Sequence, residues 1–111
     1  MNDKNLIRYL SLAAKVGRIV TGGDEVEKSI RRGTGGLLIL ASDAGQNTER
    51  RAKLLAQDRR VTLRKTAYTK SQIAAAVGRG NSVALALVTD EGLSEAFVKA
   101  SVTAQEQEEQ I

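Results

Sequence analysis

The sequence predicts an α/β fold, a three-layer α-β-α sandwich with a central mixed sheet of about four strands and about five helices. Helix and strand patterns alternate along the chain, which is typical of layered α/β domains. Two predicted strands, Leu37–Ala41 and Val83–Val88, are apolar at every position, as expected for strands covered on both faces. The 111 residues are enough for one domain with its own core.

The other elements are predicted from apolar spacing and from capping residues. The first helix carries apolar residues on one face between Asp3, its expected N-cap, and Gly17, its expected stop. A second helix runs from Asp24 to Arg32 and ends at Gly33. The remaining predicted elements are a short strand at Ile19–Thr21, a helix at Thr48–Asp58 capped by Asn47, a strand at Val61–Arg64, a helix capped by Thr69 or Ser71 that ends at Val77, and a last helix after Asp90.

Residues 1–104 are predicted to form this single domain, and residues 105–111 an acidic tail. The last helix has Leu93 and Phe97 at a spacing suited to packing. Residues 105–110 are all Gln or Glu, so they have no apolar face to bury. We expect this tail to be disordered.

Composition excludes several classes of protein. The chain has neither cysteine nor histidine, so disulfides, thiolate nucleophiles, the usual base at neutral pH and the commonest metal ligand are all missing. We therefore expect no cofactor, no metal site and no catalytic residue. No apolar run approaches the ~20 residues that span a membrane, and the charged N-terminal region lacks the apolar stretch of a signal peptide. The expectation is a cytoplasmic, monomeric protein.

Charge is distributed unevenly along the chain. Residues 1–80 contain 16 Lys and Arg against 7 Asp and Glu, whereas residues 81–111 contain 1 Lys against 6 Asp and Glu. The whole chain has a formal charge of +4. A strongly basic body favours a polyanionic partner, although a solvated surface with chance asymmetry would give the same count.

A small enzyme is one alternative that the sequence leaves open. Asp43 and Asp90 each follow a predicted buried strand, and ligands of open α/β sheets bind beyond the carboxyl ends of strands. Two carboxylates in that position could hold Mg²⁺. The competing interpretation, which we favour, is that Asp43 shapes a loop and Asp90 caps the last helix.

The segment from Thr21 to Arg32 carries the strongest functional signal. Gly22 and Gly23 permit a close approach of backbone to a partner, and the helix that follows presents amide groups suited to phosphate. Its basic residues Lys28, Arg31 and Arg32 share one helical face. A structural interpretation competes evenly with this one, because Asp24 with Glu27 resembles a capping box and the basic turn opposes the helix dipole.

Four segments in order along the chain resemble one known family. They are residues 10–22 (LSLAAKVGRIVTG), 28–33 (KSIRRG), 38–44 (LILASDA) and 88–92 (VTDEG). Together they resemble YlxQ-type bacterial kink-turn RNA-binding proteins of the L-seven-Ae/L-thirty-e ribosomal protein family. The resemblance implies an α-β-α sandwich that binds kink-turn RNA, a bent duplex with tandem sheared G·A pairs, and it implies no catalysis.

The resemblance also implies which residues contact RNA. The family motif G-T-N-E-T-T-K corresponds to residues 22–28 (GGDEVEK), so that Gly22, Glu25 and Lys28 match it. Asp24 stands where the family has Asn, whose amide reads guanine. Ionised Asp only accepts hydrogen bonds, whereas Asn also donates, so the departure predicts weaker or altered kink-turn recognition. The residues predicted to bind RNA in this segment are Gly22, Gly23, Asp24, Glu25, Lys28, Arg31 and Arg32.

A second RNA contact is implied for the loop between the third strand and the fourth helix. In this chain the loop corresponds to Lys65, Thr66 and Ala67, with Tyr68 able either to stack on a base or to pack on the protein. The predicted partner is structured RNA, in a ribosome or another ribonucleoprotein. The remaining alternative is a ribosome-assembly or protein-interaction factor on the same fold without kink-turn specificity.

Overall fold

The computed structural model describes residues 3–89, which form four helices and four strands. The helices are α1 (Asp3–Lys15), α2 (Gly23–Arg31), α3 (Gln46–Arg59) and α4 (Lys70–Val77). The strands are β1 (Ile19–Thr21), β2 (Leu37–Leu40), β3 (Thr62–Lys65) and β4 (Leu85–Val88). The predicted last helix and the predicted acidic tail lie outside the described residues.

The four strands form one mixed sheet in the order β1-β4-β2-β3. Strand β4 lies between β1 and β2 and is antiparallel to both, while β2 and β3 are parallel. The parallel pair is joined by α3, as parallel neighbours require a crossover connection. The last strand in sequence therefore occupies the interior of the sheet, where its apolar run is covered on both sides.

Helices cover both faces of the sheet, which confirms the predicted three-layer α-β-α sandwich. In β2, Leu37 and Ile39 join the core beneath α1 and α4, whereas Leu38 and Leu40 join the core beneath α2 and α3. The same alternation along β4 follows from the two-residue period of a strand. The apolar runs of both strands are thus explained by burial on two faces.

The ends of several elements differ from the sequence prediction. Helix α3 begins at Gln46 with Gly45 as its N-cap, so Asn47 lies inside the first turn and the prediction of an Asn47 cap is wrong. Strand β4 begins at Leu85 and not at Val83. The prediction of Thr69 as the cap of α4 is confirmed, because Thr69 and Gln72 form a reciprocal capping box.

Gly36 allows the chain to enter β2 directly beside the end of β4. Its φ of +146° lies in a region that essentially only glycine adopts. A Cβ built on Gly36 would overlap the carbonyl oxygen of Val88, which is backbone and cannot turn away as a side chain would. This glycine therefore sets the close approach of β2 to its antiparallel neighbour.

Gly36→Ser is expected to lower the free energy of unfolding by ~3 kcal/mol or more, because it combines a forbidden φ with a backbone clash. Gly45→Ser is the matched control. Gly45 has an ordinary φ of −66° and open space around it, and serine is a good N-cap, so we expect a change within about 0.5 kcal/mol. Urea denaturation of both variants measures the difference, and equal stabilities would contradict this account of Gly36.

Candidate nucleic-acid interface

The two segments that the resemblance assigns to RNA follow strands that end on the same side of the sheet. This side, where β1 and β3 end and β4 begins, is called the edge of the sheet below. Strand β1 ends at Thr21, which is paired with Ala86 near the start of β4. Strand β3 ends at Lys65, which is paired with Leu40 at the end of β2. Since β1 and β3 are the outer strands, the two segments are separated by three strand spacings, roughly 14 Å. A ligand that contacts both segments must therefore span roughly this distance.

The start of α2 is held at this edge by main-chain hydrogen bonds. Gly22 has a φ of +94°, a left-handed conformation that favours glycine. Its amide donates to the carbonyl of Leu85 at 3.0 Å, and its carbonyl accepts from the amide of Val26 at 2.9 Å. Among the described residues, no side chain caps α2, so the amides of its first turn remain available to an acceptor.

Arg51 of α3 binds the acidic side chains at the start of α2. Its Nη2 donates to Asp24 Oδ1 at 2.9 Å and to Glu27 Oε2 at 3.2 Å. The interpretation of Asp24 and Glu27 as a capping box is therefore wrong, because both carboxylates face a neighbouring helix instead of their own first turn. Gly22, Gly23, Asp24 and Arg51 line a groove of about 260 Å³ with residues 82–85. Sequence reasoning did not identify Arg51.

The ion pair with Arg51 changes the pKa of Glu27 and of Arg51 itself. The hydrogen bond from Arg51 is the main reason that the pKa of Glu27 lies below its usual value, and the positive charges of Arg51 and Arg31 add to it. The hydrogen bond to Asp24, followed by that to Glu27, raises the pKa of Arg51 further above its usual value. Glu27 and Arg51 are therefore both charged at neutral pH.

The cations of α2 lie in its last turn and at its C-cap. Lys28 lies 3.7 Å from Glu25 and Arg31 lies 3.7 Å from Glu27, and the lysine and arginine side chains are more than half exposed. Pairs this long and this exposed contribute little to stability. Arg32 is the exposed C-cap residue, so the two arginines lie at the far end of α2 from Gly22. Lys28 is the predicted cation nearest to the start of the helix.

The second predicted segment is part buried and part exposed. Lys65 Nζ donates to Glu49 Oε1 of α3 at 3.0 Å, and Ala67 is exposed. Thr66 is buried, and its hydroxyl lies 3.2 Å from the Leu40 carbonyl oxygen and accepts from the Tyr68 amide at 3.2 Å. Thr66 thus shapes the loop from inside, and Tyr68 packs partly against the core.

Helix α3 connects the two segments, since Arg51 contacts the first and Glu49 contacts the second. The two residues are two positions apart and so project from different sides of the helix. Sequence periodicity assigned α3 only to packing. Asp24 and Glu27 are spaced to lie on one helical face. Two acids on one face indicate a cation on a neighbouring element, and this pattern is the signal that could have pointed to Arg51.

Asp43, the candidate magnesium ligand, shapes a loop. Its Oδ1 accepts a hydrogen bond of 2.7 Å from the Lys70 amide at the start of α4, which agrees with the loop interpretation favoured from the sequence. Among residues 3–89 no group of three or more acidic residues could hold a metal ion. Asp90 lies outside the described residues. Within the same range, no helix has the length and apolar character needed to cross a membrane.

Thr66→Val is expected to lower the free energy of unfolding by about 1–3 kcal/mol, because the isosteric side chain leaves the Tyr68 amide and the Leu40 carbonyl without the hydroxyl. Thr66→Ser keeps the hydroxyl and loses one methyl group, so its loss should be under about 1 kcal/mol. Thermal or urea unfolding measures both. If valine were tolerated as well as serine, the hydroxyl would not be what holds the loop.

Replacing Arg51 with Gln is expected to raise the pKa of Glu27 toward its usual value, measured by carboxyl-carbon NMR titration. Glu49 is the internal control, because Lys65 and Lys53 lower its pKa and Arg51 does not contribute. A carboxylate whose pKa is lower in the folded state stabilises the fold above its unfolded pKa and loses that contribution as the pH falls through the folded pKa. An unchanged Glu27 titration would contradict the ion pair.

The structure resembles those of known proteins. A comparison with curated proteins gives no sequence match. A protein of unknown function from Bacillus halodurans C has a similar structure, with a TM-score of 0.77 and 25% identity over 84% of this chain and 92% of that one. A 15.5 kD RNA-binding protein from Giardia lamblia has a TM-score of 0.74 and 22% identity over 89% of this chain and 85% of that one.

The family is established by the sequence profile and not by these two structures alone. The profile of the ribosomal protein L7Ae/L30e/S12e/Gadd45 family matches residues 4–98, which is most of the chain. The match includes all eight described elements and both segments at the edge of the sheet. The chain belongs to the ribosomal protein L7Ae/L30e/S12e/Gadd45 family.

Proposed function

We propose that this protein is a non-catalytic RNA-binding protein that recognises kink-turn-type structured RNA at the edge of the sheet formed by the start of α2 and the β3–α4 loop. We further propose that it acts in the cytoplasm as a monomer, in association with the ribosome or another ribonucleoprotein. The observation that carries the proposal is the common edge. The segments Gly22–Lys28 and Lys65–Ala67 are 37 residues apart along the chain, yet both begin at this edge of the sheet.

Family membership and charge support the RNA part of the proposal. The Giardia lamblia protein with a similar structure is described as RNA-binding, and the family is described as one of ribosomal proteins. The chain has a pI of about 9.7, and a strongly basic domain is attracted to the phosphate backbone. Free amides at the start of α2 suit a phosphate or a carbonyl acceptor.

Each predicted residue has a role in this proposal. Gly22 and Gly23 bring the backbone of the α2 start close to RNA, and Asp24 and Glu25 accept hydrogen bonds from base N–H groups. Lys28, the predicted cation nearest to the start of the helix, contacts phosphate, and the arginines at the end of the helix extend the basic surface. In the loop, the backbone from Lys65 to Ala67 packs on a nucleotide, with the Thr66 side chain setting its shape. The arginines at the end of α2 that extend the basic surface are Arg31 and Arg32.

A protein-binding function is the second candidate, and one observation favours it. The Asp24 side chain is 84% exposed, so an accessible carboxylate lies within the segment proposed to bind RNA. A ribosome-assembly or protein-interaction factor would use such an acid to bind a basic partner. Pull-down from lysate with and without nuclease separates the candidates, because partners that persist after nuclease treatment favour protein binding.

Lys28→Ala is expected to weaken binding to a kink-turn RNA about fivefold at 0.1 M salt and to reduce the slope of log affinity against log salt by about one. Lys15→Ala is the matched control, because Lys15 ends α1 on the opposite face of the sheet and should change affinity less than about twofold. Filter binding at several salt concentrations gives both quantities. Equal effects of the two substitutions would place the phosphates elsewhere.

The kink-turn part of the proposal has its own test. The natural chain should bind a duplex with tandem G·A pairs at submicromolar affinity, and more tightly than a straight duplex of the same length, because only the former presents splayed bases and exposed base edges. Gel-shift titration of both duplexes measures the ratio. Equal affinities would remove kink-turn recognition and would leave general RNA binding standing.

A further inference from the structure

We infer that Arg51 is a positioning residue of the proposed RNA site, which neutralises and holds Asp24 and Glu27 so that an acidic helix start can accept RNA. The inference rests on the proposed function and concerns a residue outside both predicted segments. It identifies a determinant on α3, the helix behind the site. Arg51 itself need not touch RNA in order to act.

The charge of the α2 start creates the problem that Arg51 solves. Residues 22–28 contain three acids, Asp24, Glu25 and Glu27, and one cation, Lys28. Lys28 is paired with Glu25 and Arg31 with Glu27, each at 3.7 Å. Among the described residues, Arg51 is the one cation within ion-pair distance of Asp24, and it also makes the shorter contact to Glu27. Without Arg51, these carboxylates would repel the phosphates of a bound RNA.

The geometry places one guanidinium nitrogen between those two carboxylates. Arg51 Nη2 lies 2.9 Å from Asp24 Oδ1 and 3.2 Å from Glu27 Oε2. The Arg51 side chain is 35% exposed and the Glu27 side chain 31%, so this part of the cluster is shielded from solvent more than the α2 pairs are. Only Oδ1 of Asp24 is bound among the described residues, which leaves Oδ2 to accept from a partner.

Gly23 provides the room that Arg51 needs. A Cβ built on Gly23 would lie 2.9 Å from Arg51 Nη1, which is closer than a real Cβ contact. A larger side chain there would therefore push the guanidinium away from Asp24. Asp24 and Glu27, two positions at which this chain departs from the resembling motif, are the two whose carboxylates bind Arg51. Gly23, a third departure, leaves room for the Arg51 guanidinium. Arg51 gives these three departures a common physical reason.

A role in stability alone explains the cluster less well. Ion pairs with an exposed partner contribute little to folding, and Asp24 is 84% exposed. The strained or buried features of the fold, such as Gly36 and Thr66, lie elsewhere. The cluster lies instead at the groove beside Gly22 and Gly23, where charge affects a ligand more than it affects the core.

A thermodynamic cycle on the full chain tests the inference. The four proteins are the natural chain, Arg51→Gln, the double variant Asp24→Asn with Glu27→Gln, and the triple variant that combines all three changes. Their affinities for one kink-turn stem-loop RNA are measured by filter binding at 0.1 M salt. We expect Arg51→Gln to weaken binding of the natural chain about five- to tenfold, and to change binding of the double variant less than about twofold, because both carboxylates that Arg51 binds are then absent.

Arg50→Gln is the matched control for the loss of charge. Arg50 is the preceding residue of α3, is exposed, and lines the outer groove with Lys53 and Gln57 instead of facing α2. Its substitution should change affinity less than about twofold. Circular dichroism melts of every variant identify any that fail to fold. If Arg51→Gln does not fold, Arg51→Lys is compared before and after the same two neutralising changes, with the same rescue expected.

The outcomes separate the inference from the proposed function. If the natural chain does not bind the stem-loop RNA or a straight duplex, the proposed function fails and the inference fails with it. If the natural chain binds and Arg51→Gln binds equally well, only the inference is overturned. An equal loss in the natural and double-variant backgrounds also overturns it, because Arg51 would then contact phosphate directly. A loss confined to the natural background supports it.

Discussion

The burial of β2 and β4 on both faces is the constraint on which the rest of the structure depends. The eight residues of these strands are all buried, and two separate cores form on either side of them. Because β4 must be interior, β1 and β3 are left as the outer strands. Both outer strands then end at the edge where β4 begins. The position of the candidate interface is therefore a consequence of how the core is buried.

The sequence predicted the layers of this fold well because a strand that is buried on both faces has an apolar residue at every position. The runs Leu37–Ala41 and Val83–Val88 each marked a covered strand, and Thr69 marked a helix start through a local capping box. The order of the strands in the sheet has no comparable pattern in the sequence. That β4 lies between β1 and β2 depends on long-range pairing, which a single sequence does not display.

The candidate site was predictable only in the parts that are local. Gly22 and Lys28 could be found from neighbouring residues, since a glycine turn followed by a helix start is a short-range pattern. Arg51 is 24 residues from Glu27 and 27 from Asp24 along the chain, so no spacing rule connects them. Thr66 was predicted as an RNA-binding residue of the loop, and its burial could not be seen in the sequence because its hydroxyl bonds to the loop and to β2 through long-range packing.

Electrostatics and not packing determines what the proposed site can select. The start of α2 offers amide donors, which any phosphate or carbonyl oxygen satisfies. Asp24 offers only acceptors, which require a partner with N–H or O–H groups. A ligand that satisfies both must therefore present donors and acceptors close together, as the edge of a nucleic-acid base beside its phosphate does. In the proposed site, Arg51 makes this combination compatible with a polyanion such as RNA.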